Sequence, residues 1–243
     1  MNHCKNCNTL LNGNFCPNCG KPATLKRIDG RYIFREIANF FYAEKGWLYT
    51  TRKMLVAPGE SVREYLTEER SRFIKPITFL IITSLVYTLA CHFFKISVQT
   101  FQAQLPVKAE VEALPINALL STWVIDNNGY ASMIIGFFMA FWLKLFFRKP
   151  GYNLFEFFVL ICYLLGITSL LSAVIFMIQG VTNLNLISIN ILIVAIYIIW
   201  GIGQFFDKKK AGNYIKALLA YLMGILTVTI IVTFILSFAM ILK

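Results

Sequence analysis

Four cysteines near the start of the chain carry its most specific chemistry, spaced as Cys4-x2-Cys7-x8-Cys16-x2-Cys19. Two Cys-x-x-Cys turns can each present two thiolates to one tetrahedral ion, and Zn²⁺ takes four such ligands at about 2.3 Å. The residues between the pairs suffice for a hairpin, with Gly13-Asn14 at its turn. Asn8 and Gly20 follow the second cysteine of each pair, where a knuckle needs a left-handed backbone. Four thiolates close the coordination sphere, so the expected site is structural: Cys4, Cys7, Cys16 and Cys19 as ligands, Zn²⁺ as cofactor. A ribbon of about 20 residues has almost no core, and metal binding would supply most of its folding free energy. The competing readings are two disulfides or a redox pair. No thioredoxin-like βαβ pattern surrounds the cysteines, and the reducing compartment expected below for this end disfavours both. His3 is superfluous beside four thiolates, and Cys91 and Cys162 lie in apolar stretches where cysteine is a packing residue.

The rest of the chain is a different material. Of 243 residues, 58% are hydrophobic and only 14% charged, and the mean hydropathy is +0.65. A soluble domain carries about 25% charged residues, so a water-soluble globule is excluded. The expected fold is an all-α polytopic membrane protein with about five transmembrane helices, a small N-terminal zinc ribbon and amphipathic juxtamembrane helices. Residues 1–22 are the ribbon, 23–75 the juxtamembrane helices and 76–243 the transmembrane domain. Apolar stretches at 77–94, 129–147, 154–178, 186–206 and 214–242 approach or exceed the ~20 residues that cross a bilayer. The polar cluster Asp126-Asn127-Asn128-Gly129 reads as the turn and N-cap of the second span. No cleavable signal peptide is expected, because Met1–Thr9 is polar.

Basic residues set the orientation. With the head inside, its 13 Lys and Arg join Lys144, Arg148, Lys149, Lys208, Lys209, Lys210 and Lys216, twenty in all, against Lys95, Lys108 and Lys243 outside. The expected location is the inner membrane of a bacterium, with the N-terminus cytoplasmic and the C-terminus extracytoplasmic. The net charge of +11 follows from this bias and from anionic lipid. Nucleic acid is not favoured as a partner, because residues 1–30 carry few cations and no base-stacking aromatic cluster.

Between ribbon and spans, Ile33, Phe34, Ile37, Phe40 and Phe41 recur at helical spacing, and Trp47, Leu48, Met54 and Leu55 continue the apolar face. Such a face suits either the lipid interface or packing against the spans. Pro58-Gly59 interrupts it, and Ser61-x-x-Glu64 has the form of a capping box opening a new helix. Glu68 and Arg72 would pair four apart on that helix, which would feed directly into the first span.

Three segments, Lys45-Gly46-Trp47-Leu48-Tyr49-Thr50-Thr51, Ala57-Pro58-Gly59-Glu60-Ser61-Val62-Arg63-Glu64-Tyr65-Leu66 and Arg70-Ser71-Arg72-Phe73-Ile74-Lys75-Pro76-Ile77, resemble the DUF3667 family of bacterial membrane proteins. The resemblance covers roughly residues 1 to 80 and implies an N-terminal cysteine ribbon joined to several spans. Where family members usually read Gly-Lys-Arg, this chain has Glu68-Glu69-Arg70. The resemblance implies no activity.

Ionisable residues are costly within a bilayer and so are candidates for function. Here they are His92, Lys144, Glu156 and Lys216. Lys144 and Glu156 should reach similar depth and form a structural ion pair, with a proton or ion relay as the sharper alternative. Lys216 can snorkel to the surface. Gly136, Gly166, Ser169, Ser172, Ala173, Gly201, Gly203 and Gly224 would let helices approach closely. The outer segment 95–128, with Trp123, reads as an interfacial helix. No Ser/His/Asp set, His-x-x-x-His motif or P-loop occurs, so the protein is not expected to be an enzyme. Two functions fit: an adaptor or assembly component whose ribbon or spans bind a protein partner, or a small channel or transporter with a polar line through Asn190, Gln204, Lys144 and Glu156. The oligomeric state is open.

Overall fold

The computed structural model describes residues 7, 9, 10, 13, 16–19, 46–68, 70–94, 127–148, 151–182 and 184–241. Cys4, Asn8, Gly20, the helical pattern at 33–41 and the outer segment through Trp123 lie outside the described residues. Two compact units divide the chain, Met1–Lys45 and Gly46–Lys243.

The second unit is all helical among the described residues. The order is α1 (Gly46–Val56), α2 (Pro58–Thr67), α3 (Pro76–Phe93), α4 (Asn128–Phe146), α5 (Leu154–Thr182), α6 (Ile187–Phe206) and α7 (Ala211–Ile241). The last five are long and apolar enough to cross a membrane, and this is a multi-pass membrane protein. Their limits fall close to those expected from apolar length, except that α5 runs on to Thr182. Gln179 is buried there and caps the following turn, accepting from Leu186 N at 3.1 Å.

The spans alternate in direction. The C-terminal ends of α4 and α6 meet the N-terminal ends of α5 and α7 at one end of the bundle, called here the basic end for its lysines and arginines. α5 is the most enclosed span and α7 the least. Outward faces are apolar, as lipid requires: Ile77, Ile81, Leu85 and Leu89 form an exposed row on α3. Lipid tails are as apolar as leucine, so close packing and a few polar links hold the spans together. Gly166 faces Phe79, where a Cβ would come within 2.6 Å of the ring, and Gly136 seats Ile161 and Leu165. Trp142 on α4 donates to Thr227 on α7 at 2.9 Å.

The spans are also staggered. α3 starts beside Tyr163, nine residues into α5, which at 1.5 Å per residue is about 13 Å from the basic end of α5. The α1–α2 hairpin packs against the stretch of α5 and α6 that α3 leaves uncovered. Thr50 and Met54 of α1 are fully buried, whereas Leu48 and Val56 on its other face are 82% and 70% exposed. The apolar face seen in the sequence is thus divided, with one side against the spans and the other open.

Two expectations for the hairpin fail. Ser61 does not start a helix: α2 begins at Pro58, whose fixed φ suits the first turn, and the Ser61 hydroxyl donates to Ala57 O at 2.7 Å. α2 also stops at Thr67 and does not run into α3, so Glu68 and Arg72 are not one helical turn apart.

Candidate functional site

The first candidate site is the cysteine cluster. Cys7, Cys16 and Cys19 bring their sulfurs within 4.8 Å of one another. Cys7 and Cys16 Sγ lie 3.4 Å apart. A tetrahedral ion with 2.3 Å bonds holds its sulfurs about 3.8 Å apart, so the geometry fits a shared metal. The turn over Pro17, Asn18 and Cys19 returns the fourth cysteine beside Cys16, as a Cys-x-x-Cys knuckle should. Thr9 braces the cluster, standing 3.3 Å from Cys7 Sγ and accepting from Asn18 Nδ2 at 3.3 Å. Hydrogen bonds from the Thr9 side chain and then its amide, with Cys16 next, hold the Cys7 thiol down to about 6, favouring the thiolate a metal needs. Three cysteines close together can bind a metal. Cys4, the expected fourth ligand, lies outside the described residues.

The second site is the seat of the α1–α2 hairpin, and sequence reasoning did not find it. Buried backbone groups must be paired, and the breaks on either side of α2 leave several that their own helices cannot satisfy. Pro58 has no N–H, so the carbonyl of Met54 four residues earlier loses its helical donor. Tyr197 of α6 replaces it, donating from its hydroxyl at 2.7 Å. The amide of Gly59, in the first turn of α2, donates to Gln204 Oε1 of α6 at 2.9 Å. Ile74, just before α3, donates from its amide to Thr50 Oγ1 at 3.1 Å and accepts the hydroxyl of Tyr163 from α5.

Gly59 is required for another reason. A Cβ there would stand 2.6 Å from both Gln204 C and Gly201 O, which are backbone atoms that cannot swing aside. Around the seat, Tyr65 meets both Phe73 and Tyr163 edge-on, at ring-centroid distances of 6.0 and 5.5 Å. Glu64 ties the two helices together, accepting from Tyr49 Oη at 2.9 Å and pairing with Lys53 Nζ at 2.8 Å. The Lys53 hydrogen bond, followed by that of Tyr49, holds the Glu64 carboxyl below its ordinary value against opposing burial. The same bond raises Lys53.

The expected Lys144–Glu156 ion pair does not form. Glu156 Oε2 accepts from Asn153 N at 2.7 Å while Asn153 Oδ1 accepts from Glu156 N at 2.9 Å, a reciprocal cap on α5. Lys144 donates instead to Tyr152 O. The sequence did carry a signal, since Asn153-x-x-Glu156 has the form of a capping box. Asn190 and Gln204 stand fourteen residues apart on α6, about 21 Å along the helix. Asn127 does precede the first residue of α4, but its side chain makes no capping bond.

Fold and site together define a polytopic helical membrane protein that carries a cysteine cluster able to bind a metal and a hairpin clamped into its spans. Residues 44–88 match the family described as "Protein of unknown function (DUF3667)", which is the family this segment is similar to. The matched residues contain α1, α2 and most of α3, and they leave out the cysteines. No curated protein and no solved structure matches the chain.

Proposed function

We propose that this protein is a non-enzymatic adaptor or assembly component of a bacterial inner membrane, with a zinc ribbon that holds a protein partner on the cytoplasmic side. Cys4, Cys7, Cys16 and Cys19 bind one Zn²⁺, which fixes the ribbon and leaves no coordination position for a substrate. The observation that carries this reading is the convergence of three cysteine sulfurs within 4.8 Å, all in the unit Met1–Lys45. The twenty-to-three distribution of basic residues supports a cytoplasmic N-terminus. The test replaces Cys16 and Cys19 with Ser in the full chain. One equivalent of zinc should be lost and a specific cross-linked partner should disappear, while membrane insertion persists. Unchanged cross-links in metal-free protein would refute the adaptor role, and labelling of an N-terminal tag from outside would refute the orientation.

A channel or transporter is the second reading. The observation on its side is Asn190, whose side-chain oxygen is buried in α6 without a hydrogen-bond partner. Ion flux through proteoliposomes that falls on Asn190→Leu would support it, whereas no flux above protein-free vesicles would remove it.

A further inference from the structure

At the basic end of the bundle lies a cleft of about 600 Å³ that neither proposed function uses. Four cations from four places in the chain converge on it: Arg63 of α2, Arg148 after α4, Lys210 before α7 and Lys216 within α7. Among the described residues that line it, Asp207 is the one carboxylate, and it is already paired with Lys210 at 3.3 Å. The Lys209 amide and Lys210 hold the Asp207 carboxyl below its ordinary value, so it is ionised at neutral pH. The lining therefore has a surplus of three positive charges. Gathering like charges is unfavourable unless an anion completes the site.

The floor of the cleft is aromatic. Phe147 stacks flat on Phe206, with centroids 3.7 Å apart and planes 1° from parallel, and Tyr152 packs edge-on against Phe206. The Lys216 ammonium lies 5.4 Å from the Phe147 ring centre, held over an apolar surface. Leu145 continues the lining onto the exposed outer face of α4, where Phe141 is also exposed. On the neighbouring α7, Leu219 and Leu222 form a second open apolar row. A cationic rim, an aromatic floor and greasy rows leading away along two spans are complementary to a phosphate with acyl chains attached. A free phosphate would use only the rim.

We propose that this cleft is a specific site for an anionic phospholipid, with the headgroup phosphate held by Arg148, Lys210, Lys216 and Arg63 and the chains laid along α4 and α7. The site is independent of the ribbon and of the adaptor reading. It can be tested with full-length protein in mixed micelles, by counting retained lipids in native mass spectrometry against phosphatidylglycerol and phosphatidylcholine of matched chains. Wild type should retain one phosphatidylglycerol in preference to phosphatidylcholine. Each basic residue beside an anionic headgroup is worth about a factor of five, so Arg148→Gln with Lys216→Gln should weaken retention about 25-fold. Asp207→Asn removes the one opposing charge and should strengthen it, which keeps the test decisive if the double variant fails to fold. Equal retention of the two lipids, or variants that leave the preference unchanged, would overturn the proposal. Glycerol phosphate competing at the same concentration as the lipid would also overturn it, because a soluble phosphate would then be the ligand.

Discussion

The cysteine cluster and the α1–α2 hairpin are both short and both polar by the standards of this chain, yet they are organised in opposite ways. The sulfurs that converge are at most twelve residues apart in sequence, and all of them lie within the first unit. The hairpin and the turn that follows it depend on partners 89, 143 and 145 residues away: Tyr163 on Ile74, Tyr197 on Met54 and Gln204 on Gly59. A metal can order a segment that has no core, because the ion replaces the core. A helix pair broken by proline and glycine in a lipid-facing protein needs neighbours that answer each of its stray backbone groups. The first region should therefore survive damage to the bundle, and the second should be indifferent to the metal.

The largest expected effect separates the two. Cys16→Ser should eliminate metal binding, removing a free energy of about 10 kcal/mol or more from the ribbon, while thermal unfolding of the membrane unit stays unchanged. Zinc stoichiometry and a detergent melting curve on the same sample check both halves, and a melting point that tracks metal content would break the comparison. Gly59→Val should act in reverse. A side chain driven into the backbone of α6 is expected to cost about 3 kcal/mol or more and to lower the yield of folded membrane protein. Metal content per folded molecule should not change.

A smaller loss is expected for Tyr197→Phe. It removes one hydroxyl and leaves the Met54 carbonyl buried without a donor, at a cost of about 1–3 kcal/mol. Equilibrium unfolding should show it, and a restored i→i+4 bond in Pro58→Ala should offset part of that loss in the double variant. The smallest effect concerns Glu64, because the pair is partly open, with side chains 42% exposed for Lys53 and 24% for Glu64. Glu64→Gln should cost about 0.5 kcal/mol. The depressed carboxyl contributes stability above its ordinary value and loses it as pH falls through the folded one. The raised ammonium contributes below its ordinary value and loses stability as pH rises through the folded one. Melting should be flat across neutral pH and decline at both extremes, with the acid decline reduced in Glu64→Gln and a remainder left to Asp207, whose carboxyl is also depressed.

Much of the fold was legible because apolar length is set by bilayer thickness, a constraint that acts on each span alone. The cysteine spacing was legible for a similar reason, since ligand distance and turn geometry are local. Rotation about a helix axis and stagger between helices are collective properties, and the failed expectations lie there. Lys144 and Glu156 occupy the same end of the bundle as expected, but Asn153 and Tyr152 offered nearer partners than either had in the other. Ser61 and Glu64 have capping-box spacing, but Pro58 had already opened α2 and Glu64 found Lys53. The clamp could have been suspected from Tyr163, Tyr197 and Gln204, polar groups in apolar spans that each demanded a hydrogen-bond partner. Nothing in the sequence says that the partner is a backbone atom of the hairpin.

The bond from Gly59 to Gln204 also imposes a timetable. The ribosome makes the glycine 145 residues before the glutamine that holds it, and at 5–20 residues per second that gap lasts about 7–30 s. Throughout that time the hairpin has been synthesised but its lock has not. The nascent chain must keep Met54, Val62 and Ile74 from other apolar surfaces until α6 arrives, so maturation of this protein is paced from its second half.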